Sequence, residues 1–321
     1  MSNPRVLLTT YHDAFLVKGG GEHEMFSVAD TLKQYGIIAD IYGPYSRSLE
    51  NYDAIIHFSV HGGGLQFLEN ISLSNKPIIL WPNVWFKEGH SIASDIVSRY
   101  IDLANVVLFK SNSERQNFLE HFPSASSKSK LVLAGANSTY KQPSSGTLFK
   151  AFSGLDNYAI WCGIIEPAKN QKQVISAFAN KNMRLVLVGN CRDSEYLEEC
   201  IEEGKGLVHI IHSLPYNSEL VRSALAGAEF YVEVGSEPPG LSAIEAGLTG
   251  CKMLLGDSSW TREHFAFNTV FVDPESVIDI EDGIDQIKVI EGSNELVESL
   301  SKFCLPESLE SLVSVIRDIT R

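Results

Sequence analysis

Short apolar runs alternate with amphipathic stretches along the whole chain. RVLLTTY (5–11), IADIYG (38–43), DAIIHFSV (53–60), KPIILWP (76–82), NVVLFKS (105–111) and KLVLAGA (130–136) read as strands. Segments near 22–35, 63–70, 91–101 and 112–121 carry helical spacing between them. The alternation resumes with strands NYAIWCGI (157–164), MRLVLVG (183–189), VHIIHS (208–213), EFYVEVG (229–235), KMLLGD (252–257) and NTVFVD (268–273). Helices are expected at 170–180, 193–203 and 216–226, from about Leu241, and within 275–290 and 293–320. Such alternation predicts α/β architecture, with parallel sheets covered by helices on both faces. Between the two series, YKQPSSGTLFKAFSGLD (140–156) is rich in Ser, Gly and Pro and reads as a linker. The expectation is two Rossmann-like, doubly wound domains, 1–148 and 149–321, with the last helix packing back on the first. A ligand is expected in a cleft where the carboxyl ends of the two sets of strands face each other.

Composition narrows the picture. At 321 residues, 44% hydrophobic and 21% charged, the chain suits a globular protein with two cores. No apolar run approaches the roughly 20 residues of a membrane helix, and the start, MSNPRVLLTTYHDAF, lacks the pattern of a signal peptide. Five cysteines, at 162, 191, 200, 251 and 304, form no CxxC pair, which favours reduced thiols in a cytoplasm. The net charge of −14 is lopsided. Residues 1–150 carry thirteen basic and thirteen acidic groups, whereas 151–321 carry thirteen basic and twenty-seven acidic. An acidic half argues against nucleic acid, and any phosphorylated ligand there must be held by local donors against the overall field.

One stretch concentrates the candidate chemistry. In YVEVGSEPPGLSAIEAGLTG, a buried strand should end at a Pro-Pro-Gly turn that opens a helix with apolar spacing at Leu241, Ile244 and Leu248. Glu237 then sits at the strand end and Glu245 about one turn inside the helix. The early amides after Gly240 remain unpaired, ready for hydroxyls or an anion. A helix start with favourable acidic residues in its first turns explains the same spacing equally well.

The stretch resembles the Glu–seven–Glu signature of retaining nucleotide-sugar glycosyltransferases of the GT-B fold, in particular glycosyltransferase family four. Glu237, Gly240, Leu241, Glu245 and Ala246 match it; Pro238, Pro239 and Ser242 depart from it. The resemblance implies that Glu237 and the amides after Gly240 hold the donor sugar, while Glu245 holds the nucleotide ribose. WCGIIEPAKNQKQVISAF (161–178) is similar to the family's diphosphate-binding segment and places Lys169 on its lysine, six residues after Gly163. Ile164 stands where the family usually has arginine; Lys172, Arg192 and Arg262 are the bases that would compensate. HSLPYNSELVRSALAGAEF (212–230) resembles the segment whose backbone meets the base, and Glu263 and Asp273-Pro274 align with later family positions.

In the first half, LVKGGGEHEMFSVADTLKQYG (16–36) resembles the family's Gly-Gly-x-Glu loop. Gly19, Gly20 and Gly21 would give a backbone free to adopt positive φ and approach the donor's phosphates. Asn83 falls near the family's histidine. His57 and His61 line the acceptor side or are structural, and Trp81 and Trp85 stack on a sugar or close the core.

The candidate site is thus Lys169, Glu237 and His61 as catalytic residues. Donor contacts are Gly19, Gly20, Gly21, Gly163, Asn170, Pro239, Gly240, Leu241, Ser242 and Glu245. The resemblance implies a metal-independent, retaining transferase that needs no cofactor and moves a sugar from a nucleotide-diphospho-sugar to a glycan or lipid-linked acceptor. Bacterial surface polysaccharide assembly is the context it suits, in the cytoplasm or at the inner membrane face. The alternative is a non-catalytic sugar-nucleotide-binding GT-B partner protein, for which the changes at Ile164, Asn83 and the double proline speak. A GT-B isomerase or phosphorylase and a periplasmic-type sugar receptor have less support.

Overall fold

The computed structural model describes residues 3–16, 19–61, 63–87, 93–133, 135–235, 237–292 and 294–321. The expected helix at 91–101 therefore begins outside the described residues, and so does Ser236 of the Gly-Ser-Glu turn. The chain divides into two compact units: residues 1–135 with 305–321, and residues 136–304.

The first unit is built on β1 (Arg5–Thr9), β2 (Ile38–Ile41), β3 (Ala54–Phe58), β4 (Ile78–Trp81), β5 (Val106–Phe109) and β6 (Ser129–Leu131). All pair in parallel, in the order β2-β1-β3-β4-β5-β6. Its helices are α1 (Gly20–Gln34), α2 (Leu65–Ser72), α3 (Ser94–Leu103) and α4 (Asn112–His121). The strands are apolar on both faces because both are covered. On one face Val6, Leu8, Ile56 and Leu108 pack with Met25, Val28 and Leu32 of α1; on the other Ile55, Leu80 and Phe109 pack with Leu68, Tyr100 and Phe118.

Two short strands, β7 (Ala136–Asn137) and β14 (Cys304–Leu305), mark the points where the chain passes between units. The second unit carries β8 (Tyr158–Cys162), β9 (Arg184–Val188), β10 (Val208–Ile211), β11 (Tyr231–Glu233), β12 (Met253–Gly256) and β13 (Thr269–Val272). They too are all parallel, in the order β10-β9-β8-β11-β12-β13. The helices are α5 (Thr147–Ser153), α6 (Gln171–Asn180), α7 (Ser194–Glu203), α8 (Glu219–Ala226), α9 (Leu241–Leu248), α10 (Ser259–His264), α11 (Val277–Val289) and α12 (Glu295–Leu300).

The expected linker at 140–156 is not a linker. Tyr140 lies in a short 3-10 turn and α5 packs on α8, with Phe149 fully buried and its amide bonded to the Ser223 hydroxyl at 2.9 Å. The Ser/Gly/Pro composition concealed the LFKAF core of that helix. The units therefore divide at Gly135/Ala136, not at the expected 148/149. The last helix, α13 (Glu310–Ile319), belongs to the first unit, where Leu309, Leu312, Val313 and Ile316 enter the core beside α1.

Each sheet has one place where the winding reverses. In the second unit it falls between β8 and β11; in the first, between β1 and β3. Loops leaving the carboxyl ends of strands on either side of a reversal diverge to opposite faces, which leaves a crevice where α/β folds bind ligands.

Candidate active site

The candidate residues of the second unit gather at its switch point. β11 runs fully inside, with Phe230, Tyr231, Val232 and Val234 buried to the last atom, and Gly235 follows. A Cβ on Gly235 would lie 3.2 Å from the Lys169 carbonyl oxygen, so the loop after β11 passes against the turn that follows β8. Beside it, a Cβ on Gly189 would fall within 1.8 Å of the Gly163 carbonyl oxygen; only glycine allows the ends of β8 and β9 to come this close. Gly163 thus serves backbone approach, and its N–H donates to Val188.

Lys169 ends the short 3-10 turn Pro167–Lys169, and Asn170 follows in the left-handed region at φ 62. Asn170 also donates its side-chain amide to the Pro274 carbonyl at 2.7 Å, which fixes the entry to α6. From there Lys169 Nζ reaches Glu237 Oε2 at 3.3 Å, both side chains being about one-third exposed or less. Two residues nominated separately from sequence therefore form an ion pair. Pro239 is buried, and Gly240, in extended conformation, opens α9 with no side chain capping its amino end. The first-turn amides of Leu241 and Ser242 are the ones a helix cannot satisfy internally.

Glu245 is 6% exposed, and its Oε1 accepts the Tyr216 hydroxyl at 3.1 Å. Tyr140 Oη is directed toward the same carboxyl but stops short of hydrogen-bond geometry and is left without a partner. Burial pushes Glu245 up to about 7, against the pull of these two hydroxyls.

Sequence reasoning missed Glu233. This last residue of β11 is 5% exposed; its Oε2 accepts the hydroxyls of Tyr231 at 2.5 Å and Ser242 at 3.4 Å. Burial raises its pKa, while the positive charge of Lys169, the two hydroxyls and the Gly240 amide pull it back. The available signal was a carboxylate inside EFYVEV, an otherwise apolar buried run. Tyr216 was missed too, because nothing local ties it to a residue twenty-nine positions away.

The bases considered for the place of Ile164 are each engaged. Lys172 pairs with Glu199 at 2.7 Å, Arg262 with Asp257 at 2.6 Å, and Arg192 with Glu166 at 3.4 Å. Of these, Arg192 lies beside the loop in question, since its N–H donates to Ile165 and Cys191 bridges Ile165.

At the switch point of the first unit, Gly19 precedes α1 and donates its amide to Glu22 Oε2 at 2.7 Å; Glu22 Oε1 accepts the Tyr11 hydroxyl at 2.8 Å. The glycines do not use positive φ. Gly19 is extended and Gly20 and Gly21 are helical, and a Cβ on either of the latter would meet no atom within 4 Å. Their contribution is open approach to the helix end.

His61 is exposed, with its amide donating to Ser59 Oγ at 3.1 Å. His57 is wholly buried, bonded through Nδ1 to Thr9 Oγ1 at 2.9 Å, and burial lowers its pKa to about 4. His57 is thus structural, as is Trp81, which is fully buried and stacked on Phe58. Trp85 is half-buried. Ser59 and Asn83 hold left-handed backbone, φ 75 and 47, and Asn83 Oδ1 is buried without a partner. Among the described residues no group of three His, Cys, Asp or Glu side chains is placed to hold a metal ion, and no helix is long and apolar enough to cross a membrane.

Known proteins resemble the chain in one segment of sequence and in fold. Residues 149–302 match the family Glycosyl transferases group 1. That segment, just under half of the chain, resembles a glycosyltransferase domain. No curated protein matches the chain by sequence. Among solved structures, a glycosyltransferase from Rickettsia africae aligns over 100% of both chains with TM-score 0.78 and 14% identity. Sucrose-phosphate synthase from Thermosynechococcus elongatus aligns over 99% of this chain and 96% of its own, TM-score 0.74, 15% identity. Anabaena HepE, solved with UDP and glucose, aligns over 99% and 97%, TM-score 0.70, 14% identity. The fold is therefore that of GT-B glycosyltransferases, two doubly wound parallel-sheet units.

Proposed function

We propose that this protein is a glycosyltransferase that moves a sugar, with retention and without a metal ion, from a nucleotide-diphospho-sugar held on the second unit. The observation that carries the reading is the Lys169–Glu237 pair at the β8/β11 switch point, beside the uncapped amino end of α9. An incoming diphosphate competes with Glu237 for the ammonium and takes the first-turn amides. Glu237, released, accepts hydroxyls of the sugar. Charge accumulates on the leaving diphosphate, where a preorganised cation and amides stabilise the transition state more than the ground state. The acceptor attacks from the face the diphosphate leaves, and the leaving phosphate takes its proton, so no separate base is required.

Glu245 receives the ribose hydroxyls in place of Tyr216, and Arg192 supplies the second cation that Ile164 cannot. In the first unit, the exposed His61 and the open Gly20–Gly21 amides are the candidate ligand contacts of its own switch point. UDP-glucose is the first donor to try, since HepE was solved with UDP and glucose. The acceptor is a glycan or a lipid-linked sugar, in surface polysaccharide assembly on the cytoplasmic side.

A second reading, a sugar-nucleotide binder without turnover, draws on the neutralisation of Lys172, Arg192 and Arg262 by carboxylates. A thermal-shift panel of nucleoside diphosphates and their sugars, followed by donor-hydrolysis assays with and without EDTA, separates the two. A ligand at 100-fold over its Kd adds about 2.7 kcal/mol of stability. Stabilisation with hydrolysis supports the transferase; stabilisation with no turnover, across several acceptors, supports the binder. Loss of hydrolysis in EDTA would end metal independence.

A further inference from the structure

Glu233 is not one of the residues the family resemblance nominates, yet it lies at the centre of the charge arrangement. The groups that face it come from every element around it. Tyr231 donates to it from its own strand at 2.5 Å and Ser242 from the start of α9 at 3.4 Å. The charge of Lys169, before α6, and the Gly240 amide favour its ionised form, and the Cys162 thiol at the end of β8 feels its charge. Glu237 reaches it through Lys169, and Glu245 weighs on the same Cys162. One ammonium thus pairs with Glu237, and its charge also favours the ionised form of buried Glu233.

We propose that Glu233 is a positioning residue for the anionic end of the donor, holding Ser242 at the start of α9 and taking up one proton from solvent when a nucleoside diphosphate binds there and draws Lys169 away. The inference rests on the reading of Lys169 as the diphosphate's cation. Its physical basis is the cost of negative charge in a dry site. With Lys169 engaged by phosphate, a carboxylate that is 5% exposed loses its counter-charge and gains an anionic neighbour. Protonation removes that repulsion; the new O–H bond forms at the Glu233 carboxylate with a proton from the medium, and no other bond changes. The neutral carboxyl still holds Ser242 and hence the first turn of α9. Because only the ionised form of Glu233 opposes the ligand, affinity should fall as pH rises through its titration.

The test is isothermal titration of UDP, with ADP and GDP beside it, into the whole protein from pH 5.5 to 8.5. Two buffers of different ionisation enthalpy count the protons exchanged. The native protein should take up close to one proton more per diphosphate than Glu233→Gln. The variant should bind about tenfold tighter at the alkaline end and lose that part of the pH dependence. A variant that exchanges as many protons as the native protein and binds no tighter overturns the proposal, as a purely structural Glu233 would require.

Lys169→Ala separates the two levels. Lost diphosphate binding there, together with an unchanged Glu233→Gln, sinks this inference alone. Native binding by Lys169→Ala, or no binding of any of the three diphosphates to the native protein, sinks the lysine reading and this inference with it. Should Glu233→Gln fail to fold, Tyr231→Phe removes a hydroxyl that favours the ionised carboxylate and should move proton uptake to higher pH; an unmoved profile overturns the proposal.

Discussion

At the β8/β11 switch point, Lys169 pairs with Glu237 and its charge favours ionisation of the buried Glu233, and Glu245 accepts the Tyr216 hydroxyl with its own carboxyl raised to about 7. At the β1/β3 switch point, Glu22 has both oxygens engaged, by Gly19 and Tyr11, and the nearest buried histidine is held neutral. The winding is alike, but one crevice is lined with charges that an anionic ligand would rearrange, and the other with groups already satisfied. Identical topology supplies a place for a ligand; the side chains decide which chemistry it receives.

The contrast can be broken most severely at Lys169. Lys169→Ala should lower sugar transfer by roughly 10²–10³-fold, as loss of a charge-stabilising group does, whereas His61→Ala should cost no more than about tenfold. Steady-state transfer assays that rank these the other way would move the chemistry to the first unit. Glu237→Ala comes next: roughly 10²-fold off kcat with diphosphate binding retained or tightened, because the lysine loses its resident partner. Parallel loss of affinity would show that Glu237 holds the turn and not the sugar.

The two units should also answer pH in opposite senses. Glu245, raised in the fold, makes stability fall as pH rises from about 4.5 to about 7, since the unfolded chain ionises first. His57, lowered in the fold, makes stability fall as pH drops from about 6.5 to about 4, since the unfolded chain protonates first. Each effect is at most on the order of 3 kcal/mol. Melting curves across pH 4–8 should show Glu245→Gln removing the first slope and His57→Gln the second. The smallest effect is expected at Glu22, where Glu22→Ala gives up the Gly19 amide cap and the Tyr11 hydrogen bond, roughly 1–2 kcal/mol in all, and leaves diphosphate affinity unchanged.

Much of this organisation was legible along the chain. Both sheets, nearly every helix and the EPPGLSAIE corner follow from periodicity and turn chemistry, which are local. What escaped was long-range or masked by composition. α5 hid in a Ser/Gly/Pro-rich stretch because only Phe149 meeting α8 makes it a helix worth forming. Glu233 reads as a blemish in an apolar strand until the hydroxyls of Tyr231 and Ser242 close around it. The glycines at 19–21 are expected to use positive φ and to admit a ligand closely; they are extended or helical instead, and Gly20 and Gly21 leave open space at the helix end.

The chain leaves its first unit at Gly135 and returns for residues 305–321, which complete the hydrophobic layer beside α1. Residues 136–304 are contiguous and can be cloned as one fragment, but residues 1–135 expressed alone would bare an apolar face and tend to aggregate. Grafting 305–321 onto that fragment through a flexible tether should restore solubility, which makes the tail a handle for studying each unit's ligand binding by itself.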